Sequence, residues 1–246
     1  MTDTLQDFTH APFSYDGKTR EVYRRGTGPG VVIMHEVPGI TPRVADFGRR
    51  VAEADMTAVL PSLFGTPGKP PSMPAIVRTM AEGCVSRVFT TWATGRTSPA
   101  IVWLRALARE VHEQCGGPGV GAVGMCFTGG FALAMMVDDR LVAPVLSQPS
   151  LPLPAGKSKA ADVGLSPDDL QRVQERVAGG CQVLGLRYRS DRAVGTRFDT
   201  LRELLGDGFI AVEFDGKGHS VLTEHLQEEG VEKVIGFLRE RLLTTT

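Results

Sequence analysis

The chain has 246 residues, 42% of them hydrophobic and 22% charged, with a formal net charge of -1. This composition suits a globular protein with a sizeable core, and the length suits one domain spanning 1–246. Lys and Arg are spread along the chain without forming a stripe or a polybasic cluster, so neither nucleic acid nor a membrane surface is an expected partner.

The N-terminal MTDTLQDFTH lacks a positive region followed by an apolar run, and no apolar stretch approaches the roughly 20 residues of a membrane span. A cytoplasmic location is the resulting expectation. Cys84, Cys115, Cys126 and Cys181 lie far apart, with no CxxC and no His/Cys cluster at metal spacing. They read as free thiols, and no metal site is expected.

GVVIMHE at 30–36 is short, continuous and apolar, which predicts a buried strand. Residues 41–55 carry apolar positions at helical spacing, and TAVLPSLF at 57–64 predicts a second strand. The prolines and glycines of GTPGKPPSMPA at 65–75 predict irregular chain. Residues 98–117 form an amphipathic pattern with a Ser-Pro start and a Gly-Gly stop, predicting a helix.

A strand is predicted over GVGAVGM at 119–125, an apolar helix over 127–139, and a strand over RLVAPVLS at 140–147. The polar, proline-rich 148–164 reads as a long connection. A helix restarts with Ser166 as cap and Pro167 at its first position. CQVLGLRYR at 181–189 is a predicted strand, 197–206 a helix, FIAVEF at 209–214 the last strand, and VEKVIGFLRERLL the C-terminal helix. Strands alternating with helices predict a mostly parallel sheet with helices on both faces.

GAVGMCFTGGFALAM runs from a buried strand through glycine and cysteine into a helix. This is the setting of a nucleophile elbow, with cysteine in the serine's place. The helix start favours both a thiolate and a developing oxyanion, and the N–H of Phe127 would point at that oxyanion. Thr128 departs from G-x-S-x-G, the glycines following as Gly129 and Gly130. A β-branched residue there requires a slightly more open turn, and a buried structural cysteine at a glycine-rich helix start is the competing reading.

In such a sheet the acid and the histidine follow the nucleophile in that chain order. Asp191 lies just past one strand in RYRSDRAVG, and His219 just past the last strand in DGKGHSVL. His219 would take the Cys126 proton, and Asp191 would fix the imidazole's tautomer and orientation. Asp215 is a rival acid, ranked lower because it precedes the histidine loop. His35, His112 and His225 are less well placed. Glu36 ends a buried strand at the sheet's C-terminal edge, where ligands bind in such folds.

These segments resemble the dienelactone hydrolase family. HEVPGI at 35–40 is similar to that family's H-E-x-x-G-x, and GMCFTGG to its G-x-C-x-G-G elbow. RYRSDRAVG and GKGHS stand in the places of its Asp and His segments, and the likeness spans roughly residues 15–240. The resemblance implies an α/β-hydrolase fold, a Cys126–His219–Asp191 triad, and Glu36 as an accessory carboxylate near the thiol. It also implies Val37 as the second oxyanion donor and a small-molecule ester or lactone substrate.

No cofactor is required by that chemistry, and a monomer or small homo-oligomer is expected. Thr223 stands where dienelactone-cleaving members carry an arginine for the substrate's carboxylate. Arg87, in CVSRVF, is the remaining candidate for such a contact. A general carboxylesterase or thioesterase, and a non-catalytic ligand-binding or redox-sensing protein on the same fold, remain the alternatives.

Overall fold

The computed structural model describes residues 2–85 and 95–244. Its centre is a run of strands that bury both faces. In β3 (Gly30–Met34) and β4 (Thr57–Pro61) every residue is buried, and β5 (Val120–Met125) is likewise buried throughout. At roughly 1.5–3 kcal/mol for each large aliphatic side chain removed from water, these strands dominate the energetics of the sheet.

β6 (Leu141–Ser147), β7 (Val183–Tyr188) and β8 (Phe209–Phe214) extend the parallel set on one side. β1 (Thr9–Tyr15) and β2 (Lys18–Arg25) pair as an antiparallel hairpin, and β2 pairs antiparallel with β4. The order is β1-β2-β4-β3-β5-β6-β7-β8.

Side chains alternate across the sheet with period two. Val32 and Met34 enter one core with α3 (Ala100–Cys115), α4 (Phe131–Met135), α6 (Pro167–Ala178) and α7 (Arg197–Leu205). Val31 and Ile33 enter the other with α1 (Pro42–Glu53) and α8 (Glu228–Leu242). The Ser166 cap read from sequence holds, and the structure adds a Thr41 cap of the same kind. Thr41 accepts from Val44 N ahead of Pro42, and Ser166 accepts from Asp169 N ahead of Pro167, each worth about 1 kcal/mol.

Several elements differ from the expectations. The β1–β2 hairpin gives no apolar alternation, because β1 is almost wholly exposed and carries Pro12. The irregular stretch from 65 ends earlier than expected, with α2 (Met73–Val85) starting inside it. The apolar helix over 127–139 shrinks to a 3-10 turn (Cys126–Thr128) and the five-residue α4, since Gly129 and Gly130 interrupt it. The connection 148–164 contains a short α5 (Lys157–Ala161), and α8 starts three residues before Val231. Arg87 falls outside the described residues. Among the described residues, no helix is long and apolar enough to cross a membrane.

Candidate active site

The chain turns sharply where β5 ends. Cys126 has φ 51°, a left-handed conformation uncommon for a residue with a Cβ. Its carbonyl accepts from Gly129 N (2.9 Å) and Ser150 N (3.0 Å), which holds the strained residue from both sides. Glycine is required at two neighbours. A Cβ on Gly124 would lie 2.3 Å from the Thr128 carbonyl oxygen, and one on Gly129 would lie 2.5 Å from the Pro149 Cα.

Thr128 occupies the second glycine position for a definite reason. Its buried hydroxyl donates to the Met34 carbonyl (2.8 Å) and accepts from Met125 N (3.1 Å). The turn is therefore tied to the end of β3, not merely opened. Met34 pairs with Gly124 across β3 and β5, so Val37 and Phe127 each lie three residues beyond a shared register position.

His35 braces the same region. Its Nδ1 meets the Glu36 carbonyl (3.0 Å) and its Nε2 accepts from Leu63 N (3.0 Å). Complete burial pushes its pKa down to about 4, so the ring is neutral and structural. Its ring meets Phe64 edge-on, and Phe64 meets Phe127 in the same way. The end of β3, the segment after β4 and the elbow thus form one packed unit.

Asp191 follows β7. One carboxylate oxygen accepts from Ala193 N at 3.0 Å, forming the turn, and Oδ2 lies 2.7 Å from His219 Nδ1. The rival Asp215 is 94% exposed and pairs instead with Arg189. The histidine loop is set by Tyr188 at the end of β7. A Cβ on Gly218 would strike the Tyr188 ring at 2.6 Å, and the Tyr188 hydroxyl donates to the His225 carbonyl at 2.6 Å. His225 Nδ1 accepts from Ser220 N at 3.4 Å, closing the same loop.

Burial alone would lower the pKa of His219. Hydrogen bonds to Asp191 and Cys126, together with their negative charge, overcome this and raise it to about 11. Asp191 sits on Nδ1, and both neighbours favour the protonated imidazole. The structure joins His219 to Asp191 by a hydrogen bond and sets Cys126 near the same imidazole.

Glu36 is 3% exposed. Its carboxylate accepts from Ser220 Oγ (2.7 Å), Gln148 Nε2 (3.3 Å) and the Thr223 hydroxyl. Burial raises its pKa, only partly offset by the Ser220 and Thr223 hydrogen bonds and the nearby His219 charge. Sequence reasoning missed Ser220 and Gln148 as partners of Glu36. It also noted Thr223 only for the arginine it replaces. The adjacency of Ser220 to His219 was the available signal.

Arg197, missed as well, is buried and donates to backbone oxygens. These are Asp162 (2.8 Å), Val194 (2.8 Å), Lys159 (2.7 Å), Ala193 (3.3 Å) and Pro152. Burial pushes its pKa down to about 10. It binds the segment just after Asp191 to the connection that follows β6.

A cavity of about 600 Å³ lies beside the β3 loop, lined by Pro38, Gly39, Lys69, Arg78 and Thr79 among others, but by no triad residue. Among the described residues no cluster of three His, Cys, Asp or Glu side chains is arranged to hold a metal ion. Cys115, Cys126 and Cys181 are free thiols.

The sheet order, with a left-handed residue between β5 and the following helix, defines an α/β-hydrolase. The model of the dienelactone hydrolase family matches residues 19–161, more than half of the chain. The protein belongs to that family and is by class a carboxylic ester hydrolase. The matched range contains Glu36, Val37, Cys126 and Phe127 but ends before Asp191 and His219.

No curated protein matches the chain. Among solved structures, a cold-adapted esterase from an Arctic intertidal metagenomic library is 17% identical with TM-score 0.61, over 98% of this chain and 97% of the other. A dienelactone hydrolase from Anabaena variabilis is 13% identical with TM-score 0.64, over 96% and 100%. A dienelactone hydrolase-like promiscuous phosphotriesterase from metagenomic libraries is 16% identical with TM-score 0.63, over 96% and 98%. At these identities the likeness is one of fold.

Proposed function

We propose that the protein hydrolyses a small ester or lactone through a Cys126–His219–Asp191 triad. The observation that carries this reading is the 2.7 Å contact of His219 with Asp191, near a thiol on a strained elbow. The Cys126 thiolate attacks the carbonyl carbon, forming the S–C bond as the C=O electrons move onto oxygen. The N–H groups of Val37 and Phe127 receive that oxyanion; the shared β3–β5 register and the Thr128 tie support their convergence.

The intermediate collapses as His219 gives its proton to the leaving oxygen, leaving a thioester. Water then attacks, His219 takes its proton, and the thiolate departs with the acid released. Glu36 is the accessory carboxylate. Its burial makes it more basic than a surface glutamate, and its hydrogen bond to Ser220 places it beside the catalytic histidine.

The test is burst release and steady-state turnover of an activated aryl ester, a lactone and an acyl thioester, with wild type and Cys126→Ala side by side. Turnover in the wild type that falls by about 10³-fold or more in the variant is the expected outcome. Undiminished hydrolysis by Cys126→Ala rejects the nucleophile assignment. A wild type inert to all three substrates shifts the reading to ligand binding or thiol-based sensing.

A further inference from the structure

Helix α8 begins over β8, with Gly230 against the Phe214 ring, then crosses towards β7, β6 and β5. It leaves Ile210 and Val212, on the face of β8 turned towards α8, half-buried. Between them lies a groove of about 430 Å³, floored by Leu184, Ile210 and Val212 and walled by Lys233, Gly236 and Glu240 of α8. Beyond β8 no further strand pairs with the sheet among the described residues.

Gly236 sits on the exposed stripe of this helix, and a Cβ there would meet no atom within 4 Å. Glycine in a helix interior weakens the helix, and nothing in the described residues requires its small size. A small residue on an exposed helix face does permit another helix to approach closely.

The charges around Gly236 have a definite symmetry. In two antiparallel helices related by a two-fold axis, residues equally spaced on opposite sides of the axis face each other. With the axis between Gly236 and Phe237, Lys233 faces Glu240 of the other copy, and by symmetry Glu240 faces the other copy's Lys233. Both pairs are of opposite sign and both arise from one register. In the single chain Glu240 leans back onto Arg241 at 3.1 Å.

We propose that a second copy of this chain docks here, α8 against α8, covering the groove over Ile210 and Val212 in an isologous dimer. Charge complementarity selects a like chain. The same two positions supply both halves of each pair.

The test is sedimentation velocity of the full chain over a concentration series, repeated with Lys233→Glu, Glu240→Lys and the double variant. The wild type is expected to sediment at twice the chain mass. Either single reversal sets like charges together at two symmetry-related places and is expected to raise the dimer dissociation constant about tenfold or more. The double variant restores opposite signs and is expected to recover dimerisation. Far-UV circular dichroism confirms that each variant is folded. A wild type that stays monomeric, a different assembly, a dimer indifferent to Lys233→Glu, or a double variant no better than the singles each overturns the proposal.

Discussion

The hydroxyl of Thr223 donates to Glu36 in the interior, joining positions 187 residues apart in the chain. A guanidinium at position 223 would neutralise this carboxylate, whereas the donors seen here are the neutral groups of Thr223, Ser220 and Gln148. Burial therefore raises the Glu36 pKa above that of the unfolded chain. A group that binds its proton more tightly when folded contributes stability at low pH. That contribution is lost as pH rises from the unfolded value through the folded one. Glu36→Gln is expected to flatten this decline and to raise the melting temperature at pH 7–8. Thermal unfolding from pH 4 to 9 checks it, and parallel curves for the two proteins would remove the linkage.

The acid is distinguished by a pair of variants. Asp191→Asn is expected to lower kcat/KM by about 10³–10⁴-fold through loss of imidazole orientation. Asp215→Asn, at a residue exposed and paired with Arg189, is expected to leave it unchanged. Steady-state kinetics on whichever ester is turned over, with melting curves as a control for folding, decides between them. Equal loss in both variants would sink the assignment.

His219 owes part of its raised pKa of about 11 to Cys126. Cys126→Ser replaces an ionisable thiol by a hydroxyl that stays neutral. The imidazole pKa is expected to fall, since burial then meets less opposition. Titration of the His219 ring protons by NMR reads this directly, and an unchanged midpoint would mean that the thiol and imidazole are uncoupled.

Thr128→Val keeps the shape of the elbow but removes the bonds to the Met34 carbonyl and Met125 N–H. Leaving buried polar groups unpaired costs about 1–3 kcal/mol each. For a chain of this size, the two together amount to a fall in melting temperature of about 5–20 °C. Thr128→Ser, which keeps the hydroxyl, is expected to lie much nearer wild type. Calorimetry on both variants tests the hydroxyl's role separately from the methyl's.

The central strands were legible because each buries both faces, so an unbroken apolar run marked them. The β1–β2 hairpin was not, since exposed positions on both faces leave no period in the sequence. Cys126, Asp191 and His219 could be placed because each follows a strand whose end was readable, and the geometry separates Asp191 from Asp215. The ligands of Glu36 were opaque for another reason. Ser220, Thr223 and Gln148 are ordinary polar residues, and only the meeting of two distant loops gives them a common partner.

Arg197 grips carbonyl oxygens rather than side chains, and every residue carries a carbonyl. Along 152–162 one amino acid can therefore replace another without loosening its hold, provided the backbone keeps its path. An inserted or deleted residue would shift those oxygens out of reach and let the neighbouring Asp191 turn drift from the imidazole. This connection is thus permissive in spelling and strict in length, and relatives that keep the Arg197 anchor should differ here by substitution far more than by gaps.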